Sequence, residues 1–374
     1  MILKSLMNNQ YTHKYDLKVY IFDKLLICYI FFLPVQVMTR FGIRLAISDL
    51  FLLPMLLVFC SLHIKKNINP YFLISLYLLS FMFLYGSVIS GLKIGTLTQY
   101  MYLNKLLGIF VLIITFIMLS SFLSISFDKL LMSIRIFVLS AFLNTLASII
   151  LYFLNIEILD VNRFAGRLSG WLLDPNAFGG LLVSSLLLYT PDWLSERRIF
   201  SFSKGLFIFL TMTAGIFLTY SRSSYLAFTL GFLFILYMNR KTFFSFTFFL
   251  ILAGIMLFVS FPLIFGPEFI DRSSLLITRK AQIEARLDYI EQGFNYFVEN
   301  PIWGLGLGMF SYYENAIIHN TPVWILCEFG IIGITIFSFF IFSILNIFYK
   351  EYKISPISTS YIILGSGLAY VLNP

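Results

Sequence analysis

Apolar runs, each about as long as one bilayer crossing, follow one another along almost the whole chain. A helix needs about 20 apolar residues to cross, because lipid offers the backbone no hydrogen-bonding partner. Runs of this kind fall at about 19–38, 45–62, 71–91, 104–124, 131–155, 174–191, 204–220, 222–239, 243–265, 321–349 and 358–372. They predict an all-α, polytopic integral membrane protein with about eleven transmembrane helices. The pair 204–220 and 222–239 has the tightest connection, and 321–349 is long enough to tilt or kink. Composition agrees: 59% of the 374 residues are hydrophobic and 12% are charged. That leaves too little polar surface for a water-soluble domain.

The net charge of +8 does not indicate a nucleic-acid binder. Much of it lies in short loops, where Lys and Arg set membrane topology. The three cysteines, Cys28, Cys60 and Cys327, each sit inside an apolar run without metal-ligand spacing, so they read as small buried hydrophobes. The first 18 residues are polar and lack the apolar core of a signal peptide, so the first span reads as an uncleaved anchor. With no internal repeat or low-complexity linker, residues 1–374 read as a single membrane domain. The polar stretch 265–320 forms an external loop subdomain within it.

A cytoplasmic N-terminus puts Lys65, Lys66, Lys204, Lys241, Lys350 and Lys353 on the inner side, as the positive-inside rule expects. The same choice puts 156–173, Ser221-Arg222 and 265–320 outside. There the basic residues are Arg163, Arg167, Arg222, Arg272, Arg279 and Arg286, with Lys280 the one lysine. A local violation of a topology rule is where function is expected.

Within the external loop, 277–300 reads as an amphipathic helix. At about 100° per residue, Ile283, Leu287, Ile290, Phe294 and Phe297 form a narrow apolar stripe, suited to the membrane face or the helix bundle. Glu284, Asp288, Glu291 and Glu299 share one flank, and Arg279 and Arg286 the other edge. Neither arginine has an acid three or four positions away, so neither is neutralised within the helix. Arginine suits bidentate phosphate contacts. Two readings stand: a substrate contact, or a basic edge snorkelling to phospholipid.

Asn300–Gly308 (NPIWGLGLG) follows, and its alternating glycines suit a turn that folds the loop back onto the bundle. Then comes His319, with Thr321 as a candidate N-cap and Pro322 as the first helical residue. His319 and Asn320 would lie beside an anion-favouring helix terminus. An imidazole there could take a proton from a sugar hydroxyl, or be a loop histidine satisfied by water. Glu328 lies two turns into the span, where a carboxylate is costly. It orients a partner, pairs with an arginine, or belongs to a structural ion pair. Arg222 sits at the break between two spans, and Arg163 and Arg167 precede a second cap and proline start, Asp174-Pro175.

The order RFAGRLSGWLLDPNAFGG, TYSRSSYLAF, an arginine-bearing helix, NPIWGLGLGMF and HNTPVWILCEFGIIG resembles the bacterial O-antigen ligase and O-antigen polymerase superfamily over roughly 160–335. The resemblance implies a metal-independent, inverting glycosyl transfer on the outer face of the cytoplasmic membrane, with no cofactor. The donor it implies is a glycan on undecaprenyl diphosphate, and the acceptor a lipid A core sugar or another lipid-linked repeat unit. Matched by position, Arg222 and Arg286 would hold the diphosphate and His319 would activate the acceptor hydroxyl, with Arg163, Arg167, Arg279, Asn320 and Glu328 as substrate-binding candidates. Besides the bilayer, its implied partners are a chain-length regulator or flippase of the same pathway, and no nucleic acid. Family members often carry about one further helix beyond the point matched by Pro374. The compact loop favours a polymerase over a ligase. The competing class, a repeat-unit flippase, would need ionisable residues along several spans, whereas here the arginines gather at one surface.

Overall fold

The computed structural model describes residues 17–38, 44–62, 70–94, 108, 110–119, 127–154, 163–164, 167–172, 174–190, 200–238 and 273–354. Helix dominates them: α1 Leu17–Phe32, α2 Asp49–Ser61, α3 Pro70–Ile94, α4 Phe110–Leu119 and α5 Phe127–Phe153. After these come α6 Pro175–Tyr189, α7 Phe202–Thr219, α8 Arg222–Met238, α9 Ser273–Glu299, α10 Met309–Glu314 and α11 Thr321–Ile354. Two antiparallel ribbons join them, β1 Gln36–Met38 with β2 Arg44–Ala46, and β3 Arg163–Phe164 with β4 Arg167–Leu168. The ribbons are the departure from an all-α expectation. Each pairs the backbone of a connection that has no helix to satisfy it.

Among the described residues, four helices are long and apolar enough to cross a membrane: Pro70–Ile94, Asp128–Phe153, Phe202–Thr219 and the first 26 residues of α11, Thr321–Asn346. This makes the protein a multi-pass membrane protein by helix length and composition. The runs at 45–62, 104–124 and 174–191 become shorter apolar helices, Asp49–Ser61, Phe110–Leu119 and Pro175–Tyr189. The expected spans at 243–265 and 358–372 lie outside the described residues.

The chain divides into two compact units, one of residues 1–68, 113–235 and 355–373, the other of 69–112, 236–354 and Pro374. In the first unit α1 and α5 run in the same direction. Lys129 pairs with Asp23 at 3.1 Å, the Ser140 hydroxyl donates to the Phe31 carbonyl, and Asn144 donates to the Pro34 carbonyl at 3.3 Å. α2 returns along α1 with Phe59 on Phe22 and Phe51 on Phe32. Thr145 and Thr190 return their hydroxyls to carbonyls one turn back, Ala141 and Leu186, which lets polar side chains be buried among apolar helices.

In the second unit α3 packs antiparallel to α11, with Phe72 on Phe340 and Phe83 on Phe329. α11 is broken at Gly330, whose φ of 64° and ψ of −160° are non-helical. A break in a membrane helix frees backbone groups that lipid cannot satisfy. Here the glycine turn satisfies them. Leu305 N–H donates to the Cys327 carbonyl at 2.8 Å, and Gly306 N–H to the Glu328 carbonyl at 2.9 Å. Beyond the break, Ile331 N–H donates to the Pro301 carbonyl at 2.9 Å. The Tyr85 hydroxyl donates to the Phe329 carbonyl at 2.7 Å. The turn is fixed to α3 as well, by Leu307 N–H on the Gly86 carbonyl and by Ser90 Oγ on the Leu307 carbonyl. Residues 304–310 are buried in consequence.

Candidate active site

The turn carries the chain from α9 to α10, and α10 leads to the start of α11. Phe310 meets Tyr289 and Tyr296 edge-on, and Tyr296 stacks on Tyr313 with ring centroids 6.1 Å apart. The Tyr296 hydroxyl donates to Glu314 Oε1. That bond, with some burial, pushes the phenol up to about 12. These contacts weld α9 to α10 and fix where the segment 315–320 begins.

α11 starts one residue earlier than a Thr321 cap implies. Asn320 is the cap: its Oδ1 accepts from Val323 N–H at 3.1 Å, and its carbonyl accepts from Trp324 N–H at 2.8 Å. Thr321 and Pro322 are then the first two helical residues. His319 directly precedes the cap and is exposed, while its neighbour Ile318 is buried against Val323 and Cys327. The imidazole thus stands in the open at the positive end of a helix dipole.

α9 begins at Ser273, a turn before the expected 277, and lies along the start of α11. Its buried face is rotated from the expected stripe. Tyr289, Ile290 and Tyr296 join the core around Ile318 and Val323. A Cβ on Gly293 would come within 2.7 Å of Ile318 and 3.1 Å of Val323. Leu287, Phe294 and Val298 are exposed instead. The packed face includes the arginine edge, because Arg286 is seven residues before Gly293 and nearly eclipses it on the helix.

Contacts also fix the direction of α9. Gly293 lies by Ile318 and Val323, while the turn that begins just past Glu299 reaches Cys327 through Leu305. The two helices therefore run the same way, and the earlier half of α9 extends past the N-terminus of α11. Arg286 is exposed on that overhang, about 10 Å along the axis from Gly293 at 1.5 Å per residue. Arg279 lies seven residues earlier in the same helix.

Glu328 is fully buried and accepts the Gly308 N–H at 2.8 Å through Oε2. Its visible work is to hold the glycine turn. Tyr85, Gly86 and Ser90 on α3 escaped the sequence reading, although the small residues at 86 and 90 are a recognisable close-packing pair.

In the first unit the arginine-bearing loops do meet. Arg167 Nε donates to the Thr219 carbonyl at 2.8 Å, and its NH2 nitrogen to Asn176 Oδ1 at 2.9 Å. Arg163 is placed opposite Leu168 in the same ribbon. Asp174 caps α6, accepting from Asn176 N–H at 2.8 Å, with Pro175 first in the helix. α7 ends at Tyr220 in a left-handed conformation, φ 50°, strained for a bulky residue. Ser221 then caps α8, accepting from Ser224 N–H at 3.4 Å, and Arg222 is the first helical residue. Gly179 near the start of α6 faces Ser224 near the start of α8 so closely that a Cβ there would overlap its hydroxyl. Two helix N-termini, Arg167 and the Arg222 turn thus share one end of this unit. Such an end favours anions.

No curated protein and no solved structure matches the chain. Residues 207–338 match the family model described as O-antigen ligase, a family of O-antigen polysaccharide biosynthesis. The match runs from α7 to the middle of α11 and takes in Arg222, Arg279, Arg286, His319, Asn320, Glu328 and the glycine turn. Over that stretch the chain is similar to the O-antigen ligase family, which supports the superfamily that the sequence resembles.

Proposed function

We propose that the protein transfers a glycan from undecaprenyl diphosphate to a sugar hydroxyl at the outer face of the bacterial cytoplasmic membrane. The observation that carries this is the overhang of α9: it sets Arg286 beyond the N-terminus of α11, the end at which His319 stands exposed. A base and a phosphate-binding cation at one helix dipole's positive end are what such a transfer needs.

The chemistry is a single displacement. The acceptor oxygen attacks the anomeric carbon of the donor sugar, and its proton passes to an imidazole nitrogen of His319. The bond from the anomeric carbon to the phosphate oxygen breaks, and undecaprenyl diphosphate leaves with the electron pair. Arg286 and the dipole of α11 stabilise that charge, so the leaving group needs no proton. Inversion at the anomeric carbon follows. Arg222 has the same diphosphate role by resemblance, and the capped helix starts around it in the first unit suit an anion. Arg163 and Arg167 are further basic residues of the first unit and Arg279 of the second, and Asn320 presents the helix end. Glu328 acts through the turn and not on the sugar.

The test is complementation of a strain lacking the gene by His319→Ala, Arg286→Ala and Arg222→Ala, with membrane levels checked by immunoblot and the glycan read as a ladder. Each variant is expected to lose at least about 100-fold in product, the usual scale for a general base or a charge-stabilising donor. Full ladders from His319→Ala and Arg286→Ala at normal protein levels would sink the assignment. What accumulates identifies the acceptor: single repeat units on lipid A core for a lost polymerase, or long chains still on undecaprenyl for a lost ligase.

A further inference from the structure

Where Arg286 stands relative to His319 depends on how α9 is seated on the short helix beside it. α10 has six residues, too few to hold a helical shape alone. Two left-handed residues bracket it, Gly308 at φ 76° and Asn315 at φ 55°, so the chain turns sharply on entering and on leaving. Its position is therefore imposed by its contacts. Phe310 takes Tyr289 and Tyr296 edge-on, and Tyr313 stacks on Tyr296. Apolar packing of this kind holds α9 against α10, but it is non-directional and does not by itself fix rotation or tilt.

The directional contact is the Tyr296 hydroxyl, which donates to Glu314 Oε1. The phenol, pushed up to about 12 chiefly by that bond, keeps its proton at neutral pH and is always the donor. A hydrogen bond to an ionised acceptor is the stronger kind. This one joins the last turn of α9 to the last residue of α10, five residues before His319. On α9, Gly293 seats against Ile318 and Val323, and the helix beyond it toward Arg286 behaves as a lever. A tilt of about 10° at Gly293 moves the backbone at Arg286 by roughly 2 Å, over an arm of about 10 Å. A misplacement of about 1 Å can cost about 100-fold in rate.

We infer that Tyr296 and Glu314 are positioning residues for the transfer reaction: their bond locks α9 to α10 and so holds Arg286 at a fixed distance from His319. This role rests on the function proposed above. Both residues act through the groups that meet the substrate, and not on the substrate itself.

The experiment compares Tyr296→Phe, Glu314→Leu, Glu314→Gln and the double variant Tyr296→Phe/Glu314→Leu in the full chain. Tyr296→Phe keeps the ring contacts and removes only the hydroxyl. Glu314→Gln keeps an oxygen that can accept it. Hydrogen–deuterium exchange of the purified protein in detergent reads the lock independently of activity. Amides of 284–299 and 309–318 are expected to exchange about tenfold faster in Tyr296→Phe and Glu314→Leu, the low end for a hydrogen bond to a charged group. Those of 321–346 should stay as in the wild type. At matched protein levels in the complementation assay, the glycan ladder should fall at least about tenfold in the same two variants. Glu314→Gln should keep at least about half the product. The double variant should fall no further than either single one, because the two groups act as a unit. Unchanged exchange in Tyr296→Phe and Glu314→Leu would overturn the inference. So would faster exchange with a full ladder, a loss that merely follows melting temperature, or a loss in Glu314→Gln as large as in Glu314→Leu. In each of those cases a ladder still lost in His319→Ala leaves the transfer reading standing. Full ladders from His319→Ala and Arg286→Ala would remove that reading, and this role with it. If Glu314→Leu fails to fold, Tyr296→Phe decides, since it takes away a single hydroxyl.

Discussion

Gly330→Ala is the sharpest test of the broken helix. At φ 64° and ψ −160° the backbone is in a region held almost only by glycine, and an L side chain there costs about 2 kcal/mol. The new methyl would overlap the Ile302 carbonyl oxygen and come within 2.6 Å of its carbon and 2.8 Å of Gly304 N. Those are backbone atoms, so the whole turn must move. Moving it breaks at least two of the bonds that close the break, such as Ile331 to Pro301 and Gly306 to Glu328, at about 1 kcal/mol each. The sum is about 4 kcal/mol. At about 2 °C or more per kcal/mol for a chain of this size, the melting temperature should fall by roughly 8 °C. The assay is fluorescence-detected size exclusion of a fluorescent-protein fusion heated in mild detergent. The control is Gly108→Ala, because a Cβ there meets nothing within 4 Å; it should match or slightly exceed the wild type. If Gly330→Ala melts with the wild type, the turn is not seated in the helix break, and the account of how His319 is positioned fails with it.

Glu328→Gln keeps an oxygen for the Gly308 N–H and should retain most stability and activity. Glu328→Ala leaves that buried amide unsatisfied and should lose about 1–3 kcal/mol; equal activity loss in both variants at normal melting temperatures would instead indicate a direct catalytic role. Arg167→Ala removes the links to Thr219 and Asn176 and, since the side chain is half-buried, should cost about 2 kcal/mol in the same melting assay. Arg167→Lys can replace one link but not the fork, so it should recover less than half; full recovery would show that charge alone matters at this position.

Much of this was legible in the sequence, and the misses have physical causes. Asp174-Pro175 announced its helix start because a capping carboxylate and a proline leave one choice of register. His319-Asn320-Thr321-Pro322 did not, because Asn320 and Thr321 can both cap and proline is tolerated at either of the first two helical positions. On α9 the apolar stripe was sought among Ile, Leu and Phe. The face that packs is carried by Tyr289, Tyr296 and Gly293, a glycine whose value is closeness and not hydrophobicity. The rotation places Arg286, itself exposed, in line with the packed face of the helix. Glu328 reads in the sequence as a substrate-binding candidate, because a carboxylate in a span invites that reading, and the structure adds a backbone partner to it. That partner, the Gly308 amide, is twenty residues away and visible only once the turn is folded into the break. The meeting of Arg167 with Thr219 is likewise a long-range fact, carried by a two-residue ribbon too short to leave a periodic signal.

The second unit also bears on which side of the membrane the chemistry faces. α3 and α11 are antiparallel, and Ile94 packs in the cluster of Ile318 and Val323, so the end of α3 and the start of α11 lie at one membrane face. A chain that leaves that face after residue 94 and returns to it before 321 must cross an even number of times. The sequence offers six apolar runs between those points, at 104–124, 131–155, 174–191, 204–220, 222–239 and 243–265, of which 110–119 and 175–189 are described as shorter helices. Five or seven would be incompatible with the packing. Three runs precede residue 94, so if the N-terminal side is cytoplasmic, as expected from its lysines, this face would be outside. That supports an outward-facing His319. A cysteine placed at exposed Asn315 should then react with a membrane-impermeant maleimide in intact spheroplasts, and labelling only after lysis would refute the count and the outward site together.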